Sequence, residues 1–401
     1  MYSSTITGTD GEKIVNSFID NRITKLISFP NPKTKDKAQV CDNLIWLNHD
    51  ALLVEVKTRT KGNTPINKWA RSKIQEGVKQ LTRNYKRIKN GERITLHNDY
   101  FDIDLDNKGI TRILGLIILV HDEDFNILPS ESESNIYKKD LPIQVLSIKD
   151  LEQLSNEIDT LQDLIWYLMD RYNYLKKYDI STCCELEPLG HYYSNKYSFP
   201  KDRIDFTRTE FWSKYESEFK ENIIAREDED KASIWIDILE ENYSKYRKLH
   251  DGLPKGLYFI WEFSSLPRRV RTIIGKKLDS VKEWFSQGKS ERKFAIQNGK
   301  TSNWHIFYFM RGNEEQIVRR LNELVRLKQI AEVHLKKFQY AIYAVGFKIS
   351  VLDPPTLMGL KYSTFDCDKD ILEGKYSSKE LAKSLTIWGH GKELPIKEFP
   401  V

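Results

Sequence analysis

Apolar residues recur at helical spacing over Gly11–Asn21, through Ile14, Val15, Phe18 and Ile19, and over Ile74–Ile88, through Ile74, Val78, Leu81, Tyr85 and Ile88. Between them, Gln39–Leu47 and Ala51–Lys57 read as two strands joined by a turn at Asn48-His49-Asp50. Ile113–Val120 is a wholly apolar run of the kind covered on both faces of a sheet, and Ile143–Ile148 reads as a further strand. Helical patterns follow at Lys149–Asn156 and Leu161–Leu175. This order of helix, paired strands, helix and strand predicts the α/β class.

Periodicity is lost between residues 176 and 205, where Tyr, Ser, Pro and Gly dominate. The reading therefore places a first domain at 1–178, a linker at 179–206 and a second domain at 207–401. In the second, amphipathic helices are expected from Thr207 to Tyr246. Strand Gly256–Phe263, helix Arg268–Phe285, strand Trp304–Met310, helix Glu314–Phe338 and strand Tyr340–Ile349 follow. The result is a C-terminal α/β domain of β-α-β-α-β order.

With 401 residues, 40% hydrophobic and 30% charged, the chain has the composition of a folded protein of two or three domains, not of a disordered one. Its longest apolar run, Ile113–Val120, is far short of the ~20 residues of a membrane span. The first residues lack a basic-then-apolar export pattern, and the four cysteines show no disulfide or zinc spacing, so the expectation is a cytoplasmic protein without membrane contact. No Walker loop, dinucleotide fingerprint or nucleophile elbow is present. Asp102-Ile-Asp104-Leu-Asp106 lacks the glycine and glutamate of a calcium loop, since Asn107 and Ile113 occupy those positions.

The net charge of +5 hides a strong local asymmetry. From Lys57 to Arg93 there are twelve basic residues against only Glu76 and Glu92. Such an excess favours a polyanionic partner, because each phosphate neutralised releases condensed counterions. Arg59, Lys61, Lys68, Arg71, Lys73, Lys79 and Arg83 are the candidate phosphate contacts.

The chemistry concentrates at Asp42 and, thirteen residues on, Glu55-Val56-Lys57. Glu55 and Lys57 project on one face of a strand, and a hairpin brings Asp42 near them. Two carboxylates beside a backbone carbonyl suit Mg²⁺ or Mn²⁺. Glu12, on the first helix, offers a third. Charged groups on so apolar a strand need partners or a metal to offset burial.

These residues resemble the PD-(D/E)XK nuclease superfamily. Its restriction-endonuclease-like fold has an acidic helix, a strand bearing Asp, a strand bearing Glu-x-Lys, and a covering helix. The resemblance spans roughly residues 8–125 and implies a mixed sheet flanked by helices in the N-terminal domain. It also implies a Mg²⁺-dependent endonuclease that hydrolyses phosphodiester bonds, of DNA rather than RNA. Asp42, Glu55 and Glu12 would be metal ligands, Lys57 would position the attacking water, and Gln80 would orient the site. Cys41 replaces the usual proline before the aspartate, and Tyr85 follows Gln80 by five residues, not four. The two-domain layout resembles prokaryotic restriction or anti-phage effectors. The C-terminal domain would then sense a trigger, bind a protein partner or support a homo-oligomer. The alternative is a module that keeps the fold and binds nucleic acid without cutting it.

Overall fold

The computed structural model describes residues 8–19, 27–47, 49–59, 64–105, 109–121, 140–158, 160–178, 184–206, 210–218, 261–266, 268–297, 304–334, 342–349, 356–363, 371 and 373–389. The chain is mixed α/β and divides into two units, Met1–Ile223 with Ile260–Arg268, and Ile224–Phe259 with Arg269–Val401.

The first unit opens with helix α1 (Gly8–Ile19) and the short strands β1 (Ser28–Pro30) and β2 (Lys33–Thr34). A tight hairpin follows, from β3 (Asn43–Leu47) to β4 (Asp50–Thr58), with Leu47 paired to Asp50. Helix α2 (Ile66–Lys89) leads to β5 (Ile94–His97), β6 (Asp102–Asp104) and β7 (Arg112–Val120). Then come β8 (Ile143–Ser147) and the helices α3 (Ile148–Glu157), α4 (Leu161–Tyr178), α5 (Leu186–Ser194) and α6 (Phe211–Glu218). The main sheet has order β1-β3-β4-β7-β8. Its first three strands are antiparallel neighbours, whereas β7 runs parallel to both β4 and β8. A smaller sheet has order β2-β5-β6.

Strand β4 is buried along nearly its whole length because helices cover both of its faces. Successive side chains alternate between faces. Thr58 meets α1, while Lys57 lies 4.0 Å from Glu76 of α2. Both contacts depend on small residues. A Cβ on Gly11 would sit 2.0 Å from Thr58 Oγ1, and one on Gly77 would sit 2.9 Å from Ile117 Cδ1 of β7. At the hairpin end, Arg112 holds Asp50 through two bonds of 2.6 Å, tying β7 to the start of β4.

The segment read as a linker is folded where it is described. Arg171 of α4 pairs with buried Glu185 at 2.6 and 2.8 Å, and Glu185 also accepts from Tyr167. Phe206 packs with Tyr174 and Leu175 in an apolar cluster. Tyr, Pro and Gly lack helical periodicity, but aromatic rings stacked in a cluster need none. Phe199 and Tyr174, 5.1 Å apart, are an example.

The end of the expected strand Gly256–Phe263 is instead a helical turn at 261–264, and its earlier residues, like most of Thr207–Tyr246, lie outside the described residues. Trp261, Glu262, Phe263 and Ser264 are all buried, and Trp261 packs on Trp46 at 4.5 Å between ring centres. Burial on every side erases the period that separates strand from helix.

The second unit contains helix α7 (Arg268–Ser286), β9 (Glu291–Gln297), β10 (Trp304–Met310) and α8 (Glu314–His334). It continues with β11 (Ile342–Lys348), β12 (Thr356–Ser363) and α9 (Ser378–Ser384). Its sheet runs β12-β11-β10-β9, with β10 and β11 parallel and α8 as the crossover between them. Ile317, Leu321, Leu324 and Val325 of α8 pack on Trp304, Ile306, Tyr308, Ile342 and Ala344 of the sheet. The aromatic strands therefore supply core. Strands β9 and β12 were not legible as strands, since β9 alternates weakly and β12 carries a glycine and a lysine.

Candidate functional site

Asp42 lies immediately before β3, where the β3–β4 ladder ends. Its backbone N–H donates to the Val54 carbonyl at 3.0 Å, and its Oδ2 accepts from the Val56 N–H at 2.7 Å. The side chain thus occupies the edge of β4 that β3 leaves open. Gln39 Nε2 donates to the other carboxylate oxygen at 2.9 Å. Because a strand residue's N–H and C=O face the same edge, the Val56 carbonyl is turned to the same side as Asp42.

Glu55 and Lys57 share the opposite kind of position, on the face under α2. Lys57 Nζ stands 2.8 Å from Glu55 Oε2, and the two residues are 7% and 4% exposed. Helix α2 sorts its residues into three stripes at 100° per residue. Ile74, Val78, Leu81 and Ile88 are buried. Lys73, Glu76, Gln80 and Arg83 form the flank along the site, and Lys68, Lys79 and Lys86 face outward, exposed. Buried Asn84 donates to the Val40 carbonyl, which latches α2 to the segment entering Asp42.

Electrostatics tie the acidic groups together. Burial, reinforced by the like charge of Asp42, pushes the Glu55 carboxyl up to about 7 despite Lys57 and Arg83 nearby. Burial also raises Asp42, against the Val56 N–H, Lys57 and Gln39. Glu12 is raised by burial and then by Asp42, with Lys57 acting the other way. Glu12 and Glu55 therefore each feel Asp42, and all three carboxyls feel the single lysine, Lys57. That imbalance is what a divalent cation relieves.

Asp42, Glu55 and Lys57 are thus brought together, with Glu12 within electrostatic reach of Asp42 and Lys57. Gln80 lies half-buried on the same helix flank as Glu76 and Arg83, its Oε1 without a hydrogen-bond partner among the described residues. Among the described residues no group of three His, Cys, Asp or Glu is placed to hold a metal ion. Two carboxylates and a backbone carbonyl still fit Mg²⁺, which keeps several waters and takes one or two carboxylates.

Of the candidate phosphate contacts, Lys68, Arg71, Lys79 and Arg83 are exposed on α2. Lys73 pairs with Glu76 at 2.7 Å, Arg59 donates to the Thr64 carbonyl at 2.9 Å, and Lys61 lies outside the described residues. Tyr85 carries Lys89 over its ring at 5.8 Å. Sequence reasoning missed Gln39, Gly11 and Asn84. A glutamine three residues before the aspartate is a faint signal, and nothing in the sequence marks the other two. Among the described residues no helix is long and apolar enough to cross a membrane. Compared with known proteins, the chain matches no family model and no curated protein, and its fold matches no solved structure.

Proposed function

We propose that the first unit is a metal-dependent nuclease that hydrolyses phosphodiester bonds, with DNA as the expected substrate. The observation that carries this reading is the meeting of Asp42, Glu55 and Lys57 at the open edge of β4, beside a helix whose outer stripe is basic. Asp42, Glu55 and the Val56 carbonyl would hold Mg²⁺ or Mn²⁺, which when bound supplies charge stabilisation at the phosphoryl oxygens. Lys57 orients the attacking water and offsets phosphate charge. Glu12 would assist as a third carboxylate, within electrostatic reach of Asp42 and Lys57. Gln80, whose buried amide oxygen has no hydrogen-bond partner among the described residues, would orient the site, and Lys68, Arg71, Lys79 and Arg83 would follow the phosphate backbone. A second reading, a module that keeps the fold and binds nucleic acid without cutting it, rests on the exposed basic stripe of α2.

The test incubates the protein with plasmid DNA, single-stranded DNA and RNA, in Mg²⁺, Mn²⁺ or EDTA, with Glu55→Ala and Lys57→Ala alongside. Cleavage that needs metal and is lost in both variants supports the nuclease. Metal-independent binding without cleavage, equal in wild type and variants, supports the non-cleaving module.

A further inference from the structure

The loop between β1 and β2, the turn after β2 and strand β5 enclose a groove of about 500 Å³ that the catalytic reading does not use. Asn31, Lys33, Lys35, Lys37, Arg93 and His97 line it, and no acidic residue does. Strand pairing explains why these cations share one surface. Lys33 pairs with Thr95, and β5 alternates buried Ile94 and Leu96 with exposed Thr95 and His97. Lys33 and His97 therefore project to the same solvent face.

The turn that carries the other two lysines is held in shape. Thr34 N–H donates to the Ala38 carbonyl at 2.9 Å and Lys37 N–H to the Thr34 carbonyl at 2.8 Å. Lys37 has φ 63°, a left-handed conformation that a lysine seldom adopts. Arg93 is paired with Asp104 at 2.6 Å, whereas Lys33, Lys35 and Lys37 make no ion pair among the described residues. Asp36 is exposed on the same turn but does not line the groove.

The groove adjoins the site directly. Asn31, in its wall, donates its N–H to the Asp42 carbonyl at 3.0 Å. Gln39, bridged to Lys33, holds the Asp42 side chain.

We infer that this groove is a second phosphate-binding surface, seating the backbone of a nucleic-acid strand beside Asp42 in addition to the basic stripe of α2. Concentrated unpaired ammonium groups in a concave surface focus potential on an anion. A polymer of phosphates fits better than a single anion, because the cations are spread along a strand and a turn and not gathered on one point. The inference deepens the nuclease reading by naming how the substrate is held, but binding itself does not require cleavage.

The test measures binding by fluorescence anisotropy in EDTA, to duplex DNA, single-stranded DNA and RNA of equal length, across a salt series. It compares wild type, the triple variant Lys33→Ala/Lys35→Ala/Lys37→Ala, and a control triple, Lys176→Ala/Lys201→Ala/Lys214→Ala. Each lost phosphate contact lowers the salt slope by about 0.9 on duplex or about 0.7 on single strands, so the groove triple reduces the slope by about 2 to 3. Lys35→Glu alone weakens binding in the same direction and guards against misfolding of the triple. Equal slopes in wild type and groove triple, equal changes in both triples, or no binding by wild type to any of the three would each overturn the inference. If wild type cleaves while the groove triple binds normally, the groove fails and the nuclease stands. If the slope falls but nothing is cleaved, the groove stands and the nuclease fails.

Discussion

Lys57 and Glu55 form an ion pair of 2.8 Å under α2, one strand step from the carboxylate of Asp42, and burial separates the pair from bulk water. Each charge is tolerated there because of the other, yet the balance is incomplete, since Glu55 remains raised to about 7.

That shift makes stability depend on pH. Below the ordinary value of 4.5 the Glu55 carboxyl is protonated in folded and unfolded chains alike, and its contribution is fully present. As pH rises towards about 7 the unfolded chain releases the proton and the folded one resists. Stability then falls, by about 3 kcal/mol from this group. Urea unfolding of Glu55→Gln between pH 4.5 and 8 is expected to show a correspondingly shallower fall than wild type. Identical curves for the two proteins would contradict the role given to burial.

Removing the ammonium has a different signature. Lys57→Met leaves the neighbouring carboxyls without their nearest cation, and it removes the group proposed to orient water. Cleavage is expected to drop by about 10²- to 10⁴-fold. Nucleic-acid binding in EDTA should change little, because the exposed lysines of α2 remain. Steady-state kinetics and anisotropy on the same preparation separate the two effects. Full activity in Lys57→Met would remove Lys57 from the chemistry.

Metal binding offers a readout that needs no substrate. A ligand that binds only the folded state at 100 times its Kd stabilises by about 2.7 kcal/mol. At pH 8, Mn²⁺ is expected to raise the Tm of wild type, EDTA to reverse it, and Asp42→Asn to abolish the response. A shift that persists in Asp42→Asn would place the cation elsewhere.

Gly11 is expected to be intolerant of a side chain. Gly11→Ala drives a methyl group into Thr58 Oγ1 and lifts α1, with Glu12, off β4. Overpacking of this kind costs about 1–3 kcal/mol. Thr58→Ala removes the closest atom, so the double variant should recover part of the loss in urea unfolding. Strict additivity of the two changes would show that α1 does not press on Thr58.

The Arg171–Glu185 pair tests where the first unit ends. Arg171→Met leaves a buried carboxylate with Tyr167 as its remaining partner, at a cost of about 3–5 kcal/mol. Glu185→Gln in the same chain should return most of it. A neutral Arg171→Met would mean that residues after 183 contribute nothing to the unit's stability, as a linker would.

Much of the first unit was legible because its elements carry a clear period. The face of α2 through Ile74, Val78, Leu81 and Ile88, the apolar run of β7, and the Asp42 to Glu55 spacing across a short turn each point to one local structure. The charge imbalance from Lys57 to Arg93 was equally plain, since composition is independent of conformation. Strands β1, β2, β5 and β6 were not, because two to four residues are too few to show a period.

By itself, then, the sequence determined the α/β order, the pairing of β3 with β4 and the residues able to carry charge at their junction. Only the tertiary structure decided that Gln39 and Val56 hold Asp42, that Gly11 brings Glu12 within electrostatic reach, and that the lysines of the β2 turn join Arg93 and His97 in one groove. It also decided that aromatic residues near 199–206 belong to a core. The physical reason is common to all of these. Hydrophobic periodicity is a property of neighbours along the chain, whereas desolvation, close backbone approach and converging charge arise between residues that only the packed sheet and helices bring together.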